Sequence, residues 1–509
     1  MQPLLDAINS LQAAPFAINE PVLEFMKRNS PPVPPAPNER QRWARKEYAK
    51  ELAERTAYQM DFVMAEVQAE QERFFVSSTI DFRGRLYGLS HFNFARHDRI
   101  RALFLFADGE PIGEEGLLWL KAHVAARTDG NSWSAEKKPS RLNFAQRIAW
   151  TDNNLDKLRN VCRAVLHGET LTDDLPSDEP YQFIAACVEL VQALDAGPAF
   201  ITRLPLTFDG SCSGLQHLCA MTRAEEGRYV NLVAADNAED FYSLVAAQVW
   251  RDNPELQHLM EGPNDRQIAK KPIMTFFYGS IPGGFARCKS GRRWKPYGMT
   301  EQVIEVLRER GKPTTGADRL AAAIYKAIED LVPPAKKVRQ FLEDLVRLCA
   351  KENKPLRWTT PLGLPVHNRY HKPKIKNISI PQNGRARRSV KFAVGYEDKI
   401  NRRKAVNSVT ANFVHSVDAA HLQLIALAAA KEGIRMVSVH DCFGCLAPHA
   451  KRFNGIIREQ FVRLHKYNLL AEAFASAKRD LRRGVELPLP PEPGSLELEL
   501  VLNSFHAFK

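Results

Sequence analysis

An α+β fold, predominantly helical, with a small sheet assembled from strands far apart in the chain, is what this sequence predicts, on three observations. Two short apolar and β-branched runs, Leu206-Thr207-Phe208 and Met436-Val437-Ser438-Val439, each lead into an acid and small residues, Asp209-Gly210-Ser211-Cys212-Ser213-Gly214 and His440-Asp441-Cys442-Phe443-Gly444. Residues 39–75, rich in Ala, Glu, Arg and Gln with no Gly or Pro, read as one long, largely exposed helix. A chain of 509 residues that is 44% hydrophobic can bury a large core and divide into subdomains.

Taken alone, a strand-end aspartate is more often a turn former or helix cap. Two of them on adjacent strands can instead hold two divalent cations, which serves in-line phosphoryl transfer. A third stretch, Asp265 to Ser280, puts Arg266, Lys270, Met274 and Tyr278 four residues apart, a slowly winding stripe on a helix. Cations first and a ring last suit a triphosphate followed by a base. A solvated basic face with a buried tyrosine would have the same spacing. Pro272 inside the stretch removes a ladder donor and predicts a kink or a tighter turn.

Elsewhere, helices are expected at Pro180 to Leu194, Asp236 to Trp250, 301–311 and 317–350, and residues 31–37 form a Pro-rich spacer. The segment from Phe104 to Arg203 shows no chemistry. A stretch dense in Lys, Arg and β-branched residues runs from Lys372 to Lys404. With 71 basic and 59 acidic residues the net charge is +12, which suits a polyanionic partner. Eight irregularly spaced cysteines imply reduced thiols, and the lone Cys442-x2-Cys445 pair reads as packing because no second pair stands at zinc spacing. The start lacks the pattern of a signal peptide, and the longest apolar run, near Leu422 to Ala430, is too short to span a bilayer. A soluble protein with no membrane association is expected.

Together these residues carry a family resemblance. Asp209-Gly210-Ser211-Cys212-Ser213-Gly214-x-Gln216-His217, Arg266-x3-Lys270-x7-Tyr278-Gly279 and His440-Asp441 resemble motifs A, B and C of the single-subunit, phage-type DNA-dependent RNA polymerases, relatives of the mitochondrial enzyme. Asp81-Phe82-Arg83-Gly84-Arg85-x-Tyr87, Trp358-Thr359-Thr360-Pro361 with Gly363-x-Pro365-Val366, and Asn412-Phe413-x-His415-Ser416-x-Asp418 match as well, in the family's order, from about residue 40 to the end.

The resemblance implies a right-hand polymerase of thumb, palm and fingers with an antiparallel palm sheet. It divides the chain into an N-terminal segment and spacer (1–37), a thumb helix (38–75), a first part of the palm (76–108), a palm insertion (109–200), palm with motif A (201–225), fingers (226–415) carrying a specificity hairpin (372–404), and palm with motif C and the C-terminal segment (416–509). It gives two Mg²⁺ ions to Asp209, the Gly210 carbonyl and Asp441. Arg266 and Lys270 take the triphosphate, Lys270 also acting as general acid. Tyr278, Tyr242 and His415 lie around the incoming nucleotide, and Arg83, Arg85 and Tyr87 by the template. Arg385, Arg387 and Arg388 would read promoter bases, although a nonspecific phosphate-binding ribbon would look identical. His421 reads as packing.

The partners implied are a DNA template, an RNA product and ribonucleoside triphosphates, for a monomer in the cytoplasm of a bacterial host, encoded by a phage or prophage. Family members carry several hundred residues before the thumb, and here almost none stand there, so a primase-like or partner-dependent polymerase needing an accessory factor for promoter opening is the alternative. A family A DNA polymerase is a further alternative, but its motif A has a glutamate that blocks a 2′-hydroxyl where this chain has Gly214. The ending departs from the family's Phe-Ala-Phe-Ala, reading Phe505-His506-Ala507-Phe508-Lys509.

Overall fold

The computed structural model describes residues 2–30, 32–33, 42–128, 133, 138–169, 171, 175–287, 294–382 and 385–509, with the side chains at 42–47, 287, 294, 380–382 and 385–388 outside that description. The spacer at 31–37 falls largely outside it. The fold is α+β, mostly helical, with small antiparallel sheets.

A 30-residue helix, Arg402–Lys431, runs through the core. From Val409 onward its side chains are buried almost all round, with polar Asn412, Ser416, Asp418, His421 and Gln423 among them. Its composition alone would let it cross a membrane, but 78% of that window is buried inside the protein, as in a core helix. Asn401 caps its start by accepting the Lys404 N–H at 3.1 Å. Helices Gln2–Gln12, Pro333–Lys351 and Ala450–His465 pack around it. The N-terminal segment is thus part of the main core, and its strand Phe16–Ile18 pairs with Phe104–Phe106.

Two helix boundaries differ from the sequence expectation. The stretch 317–350 is two helices, Ala317–Leu331 and Pro333–Lys351, broken at Val332 (φ −133°, ψ 67°), since a residue before proline is pushed out of the helical region. The helix expected over 39–75 spans Arg42–Ala69, about 42 Å at 1.5 Å per residue. It stops before Phe74, which exchanges two 2.8 Å backbone hydrogen bonds with Phe16. Nor is it exposed all round: Tyr58, Phe62 and Ala65 are buried, while Met60, Val63 and Val67 face outward.

The sheet that matters for the site has three antiparallel strands in the order Val437–Val439, Cys442–Cys445, Leu206–Asp209, with Cys442 opposite Asp209. The last residues of the chain extend its edge. Asp209 and Lys509 exchange N–H···O bonds of 3.1 Å in both directions, and Gly210 bridges to Phe508. Phe508 is buried against the rings of Phe461 and His421. The altered ending is therefore built into the floor of the site. All seven described cysteines are free thiols.

Candidate active site

The Leu206–Asp209 strand delivers Asp209 at its end, as its sequence predicts. Asp441 does not end a strand adjacent to it. It sits in the tight turn between Val439 and Cys442, and that hairpin carries it beside Asp209. Two left-handed residues shape the turns: His440 (φ 55°) precedes Asp441, and Cys212 (φ 66°) starts the Ser213–Thr222 helix. Non-glycine residues hold such a backbone only where surrounding structure enforces it. The Gly210 carbonyl accepts the Cys212 N–H at 2.9 Å, and Ser213 is placed to hydrogen-bond Asp441.

Both carboxyls are pushed above the usual carboxylate range. For Asp209 the causes are burial and then the Asp441 charge; for Asp441 they are burial and then the Asp418 charge. Asp209 still opens to solvent along the cleft, so the burial comes from the surrounding walls. Among the described residues no group of three or more His, Cys, Asp or Glu is arranged to hold a metal ion. Two repelling carboxylates and a carbonyl fit a cation that takes its remaining ligands from phosphates and water, which is how Mg²⁺ is usually held.

One wall is the helix Arg266–Phe276. Asp265 caps it by accepting the Ile268 N–H at 3.3 Å and is itself gripped by Arg310 at 2.7 and 2.9 Å. Pro272 is buried within this helix and does not end it. The helix stops at Phe276, so Tyr278 lies past its end in a turn closed by Gly279 (φ 87°), where a β-carbon would come within 2.9 Å of the Asn407 carbonyl oxygen. The stripe is therefore three helical residues and a ring set off the end. Lys270 and Met274 are exposed to the cleft. Arg266 is already engaged, 3.5 Å from Asp240 and over the Tyr242 ring at 4.9 Å. Burial, then the neighbouring Cys212, raises the pKa of the Tyr242 phenol.

The Tyr278 and His415 rings are 4.5 Å apart. Burial, with the charges of Asp418 and Asp441, pushes the Tyr278 phenol up to about 12. Arg83 donates to His415 Nδ1 at 2.8 Å, which leaves the ring proton on Nε2. Burial and the charges of Arg85 and Arg83 lower His415 to about 3, so the ring is neutral. Arg83 is also bound by Asp81 at 2.5 Å, and Arg85 by Asp418 at 2.6 Å. Tyr87 meets His440 edge to face at 5.5 Å. Arg385, Arg387 and Arg388 lie on the strand Arg385–Ile400, but their side chains fall outside the described residues, and among the described residues none from 371 to 400 lines this cleft.

Segment 109–200, which showed no chemistry in the sequence, supplies much of the opposite wall. Arg127, Lys138, Arg141 and Arg147 line the same cavity of about 510 Å³ as Asp209, Lys270 and Asp441. Arg127 donates to Thr207 on the Asp209 strand and pairs with Glu179 at 3.2 Å. Arg141 shares Asp240 with Arg266, at 2.7 Å. Arg147 bonds the backbone carbonyls of Leu142 and Ser140 at 3.0 and 2.7 Å. Only the fold could bring these dispersed cations together.

Facing carboxylates on an antiparallel sheet, floored by the chain terminus and walled by cations, form the site of an α+β polymerase fold. The sequence matches the DNA-dependent RNA polymerase family over residues 110–489, and the chain belongs to that family. It is 29% identical over 563 residues to the chloroplastic/mitochondrial DNA-directed RNA polymerase 2B of Nicotiana tabacum, covering 100% of this chain and 52% of the relative. With mitochondrial DNA-directed RNA polymerase 1 of Arabidopsis thaliana the identity is 29% over 556 residues, covering 100% and 54%. Chloroplastic DNA-directed RNA polymerase 3 of Nicotiana sylvestris gives 29% over 549 residues, covering 100% and 54%. The chain thus spans about half the length of the curated relatives it matches. These plant relatives are chloroplastic or mitochondrial proteins, which overturns the expectation of a cytoplasmic phage or prophage protein.

Proposed function

We propose that this chain catalyses DNA-templated transfer of ribonucleotides to an RNA 3′-hydroxyl. The observation that carries the reading is the pairing of Asp209 with Asp441 at the floor of a cleft lined by cations. Chemistry in this family depends on metal, and the residues present fit two Mg²⁺ ions held by Asp209, Asp441 and the Gly210 carbonyl. Bound there, the ions would lower the pKa of the 3′-hydroxyl and neutralise the leaving pyrophosphate. Lys270, exposed and with no described carboxylate partner, is positioned to bind the triphosphate and donate a proton to the leaving group. Arg266, Arg141 and Arg127 hold fixed positive charge around it, which favours charge developing in the transition state without reorganisation.

Neutral His415, with its proton on Nε2, can donate to the minor-groove acceptors that every base pair presents, so it would check pairing without reading sequence. In this reading the Arg42–Ala69 helix belongs to the thumb, the three-stranded sheet to the palm, and the Arg266–Phe276 helix to the fingers. Extension assays on a primed template and on plain duplex, with ribo- and deoxynucleotides, test it. Ribonucleotide addition to the primer, lost in Asp441→Asn, is expected. No extension on either template would overturn it. Extension of the primer alone would favour initiation that depends on a partner.

A further inference from the structure

The hairpin Leu356–Thr359 with Pro365–Asn368 alternates strictly. Leu356, Trp358, Val366 and Asn368 face the core, where Trp358 donates to Ser416 Oγ and Asn368 to the Ala405 carbonyl, each at 2.9 Å. By the period of two, Arg357, His367 and Arg369 take the other face, with Arg357 directly opposite His367. That face does not simply meet solvent. The end of the Leu469–Asp480 helix and the turn at Asn353–Lys354 close over it, leaving a cavity of about 550 Å³ that shares no lining residue with the catalytic cleft.

Lys354, Arg357, Arg369 and Arg479 line it beside Asp398 and Asp480; Arg357 holds Asp480, Lys354 lies 3.4 Å from Glu352 and Arg479 3.5 Å from Glu472, so Arg369 is the cation left over. No described carboxylate pairs with Arg369, which donates instead to His371 Nε2 at 2.6 Å, and His371 Nδ1 is buried without a partner. His367 is held below the ordinary imidazole value by burial and by the Arg357 and Arg369 charges. His371 begins the strand His371–Gln382, which pairs with Arg385–Ile400 in a two-stranded ribbon and continues with exposed Lys372, Lys374 and Lys376. Among the described residues no Phe, Tyr or Trp lines the cavity.

We propose that this cavity is a second phosphate site that takes the sugar–phosphate backbone of a nucleic-acid strand running off the lysine-bearing strand of the ribbon. It rests on the polymerase reading only in that the strand would be that enzyme's template or product. The test is fluorescence anisotropy with a labelled single-stranded oligonucleotide over a salt series, comparing wild type, Arg369→Glu and Arg479→Glu. Lys336→Glu, an equal charge change at an exposed pair with Glu329, is the control. Each cavity variant should bind on the order of threefold or more weaker than the control at low salt and flatten the salt slope by about one. Primer extension at saturating DNA should stay within about twofold.

Affinity no weaker than the control overturns the proposal. Tripolyphosphate is the second arm. If it raises the melting temperature of wild type but not of Arg369→Glu while both bind DNA alike, the site takes a free polyphosphate and the nucleic-acid assignment falls. Should Arg369→Glu fail to fold, Arg369→Gln carries the same comparison. Failure of wild type to extend any primer would sink the polymerase reading and leave the binding result standing.

Discussion

A β-carbon placed on Gly214 would stand 3.6 Å from the phenol oxygen of Tyr278 and 3.3 Å from the β-carbon of Phe277. The phenol therefore lies at van der Waals range of the bare face of Gly214, and Phe277 is the tighter neighbour. From sequence alone, Gly214 leaves room for a 2′-hydroxyl but cannot select it. In the structure it also lies beside the Tyr278 phenol, the group proposed to bond that hydroxyl. A site built to hydrogen-bond a substrate hydroxyl strongly rejects the analogue lacking it, because its own polar group is otherwise left unpaired.

Tyr278→Phe keeps the ring against His415 and removes that partner. It should incorporate deoxynucleotides nearly as well as ribonucleotides, at a similar overall rate, in single-nucleotide incorporation. An unchanged ribose preference would make Tyr278 a packing residue and place selectivity elsewhere. Gly214→Ala, which crowds Phe277 by a few tenths of an ångström, should lower incorporation of both sugars together.

Asp209→Asn and Asp441→Asn should each abolish RNA synthesis while DNA affinity stays within a few fold, since little groove charge is lost. More than about a tenth of the rate remaining, roughly 1.4 kcal/mol in the barrier, would remove the two-metal assignment. Because the two carboxylates repel, Mg²⁺ should raise the melting temperature of wild type and much less that of Asp441→Asn. Equal shifts in a thermal melt would mean the ion binds elsewhere.

Lys270 and Arg266 looked equivalent as spacing, and their environments separate them. Lys270 points into the cleft without a described ion partner, whereas Arg266 is engaged by Asp240 and Tyr242. Lys270→Ala should therefore lower kcat more, as loss of a group acting in the transition state does. Arg266→Ala should raise KM and also lower thermal stability. Equal effects confined to KM would remove the general-acid role from Lys270.

What could be read in the sequence follows from how local each signal is. Asp209 was legible because a β-branched run and a small-residue turn surround it, and Asp441 because the same pattern recurs. Spacing of four puts Tyr278 on a helix because it carries no information about where a helix stops; Gly279, with φ 87°, closes the turn that ends it. The double proline at 333–334 was in plain view and should have split 317–350. Arg127, Arg141 and Arg147 left no trace, since their shared cavity exists only after distant helices pack. The pairing of the chain's last residues with Asp209 and Gly210 is too short for any periodicity to show.

Asp418 and Arg85 form a largely buried ion pair at 2.6 Å, with side chains 3% and 13% exposed. Burial opposes ionisation of Asp418, but His217, with Nε2 at 3.7 Å, and the Arg85 charge more than offset it and hold its carboxyl well below the usual range. A carboxyl whose folded-state pKa is depressed contributes stability that is fully present above its unfolded value, about 3.9, and is lost as pH falls toward the folded value. Asp418→Asn removes the charge and leaves Arg85 buried without its counter-ion, a loss of about 3–5 kcal/mol for a broken buried pair. The difference between wild type and Asp418→Asn in urea unfolding should therefore be large at pH 5 to 7. It should shrink below pH 4 by up to about 1.4 kcal/mol per unit, as wild type itself loses the ionised form. A difference that stays constant from pH 6 to pH 3 would show that the aspartate acts through shape and hydrogen bonding, with its charge contributing nothing to stability.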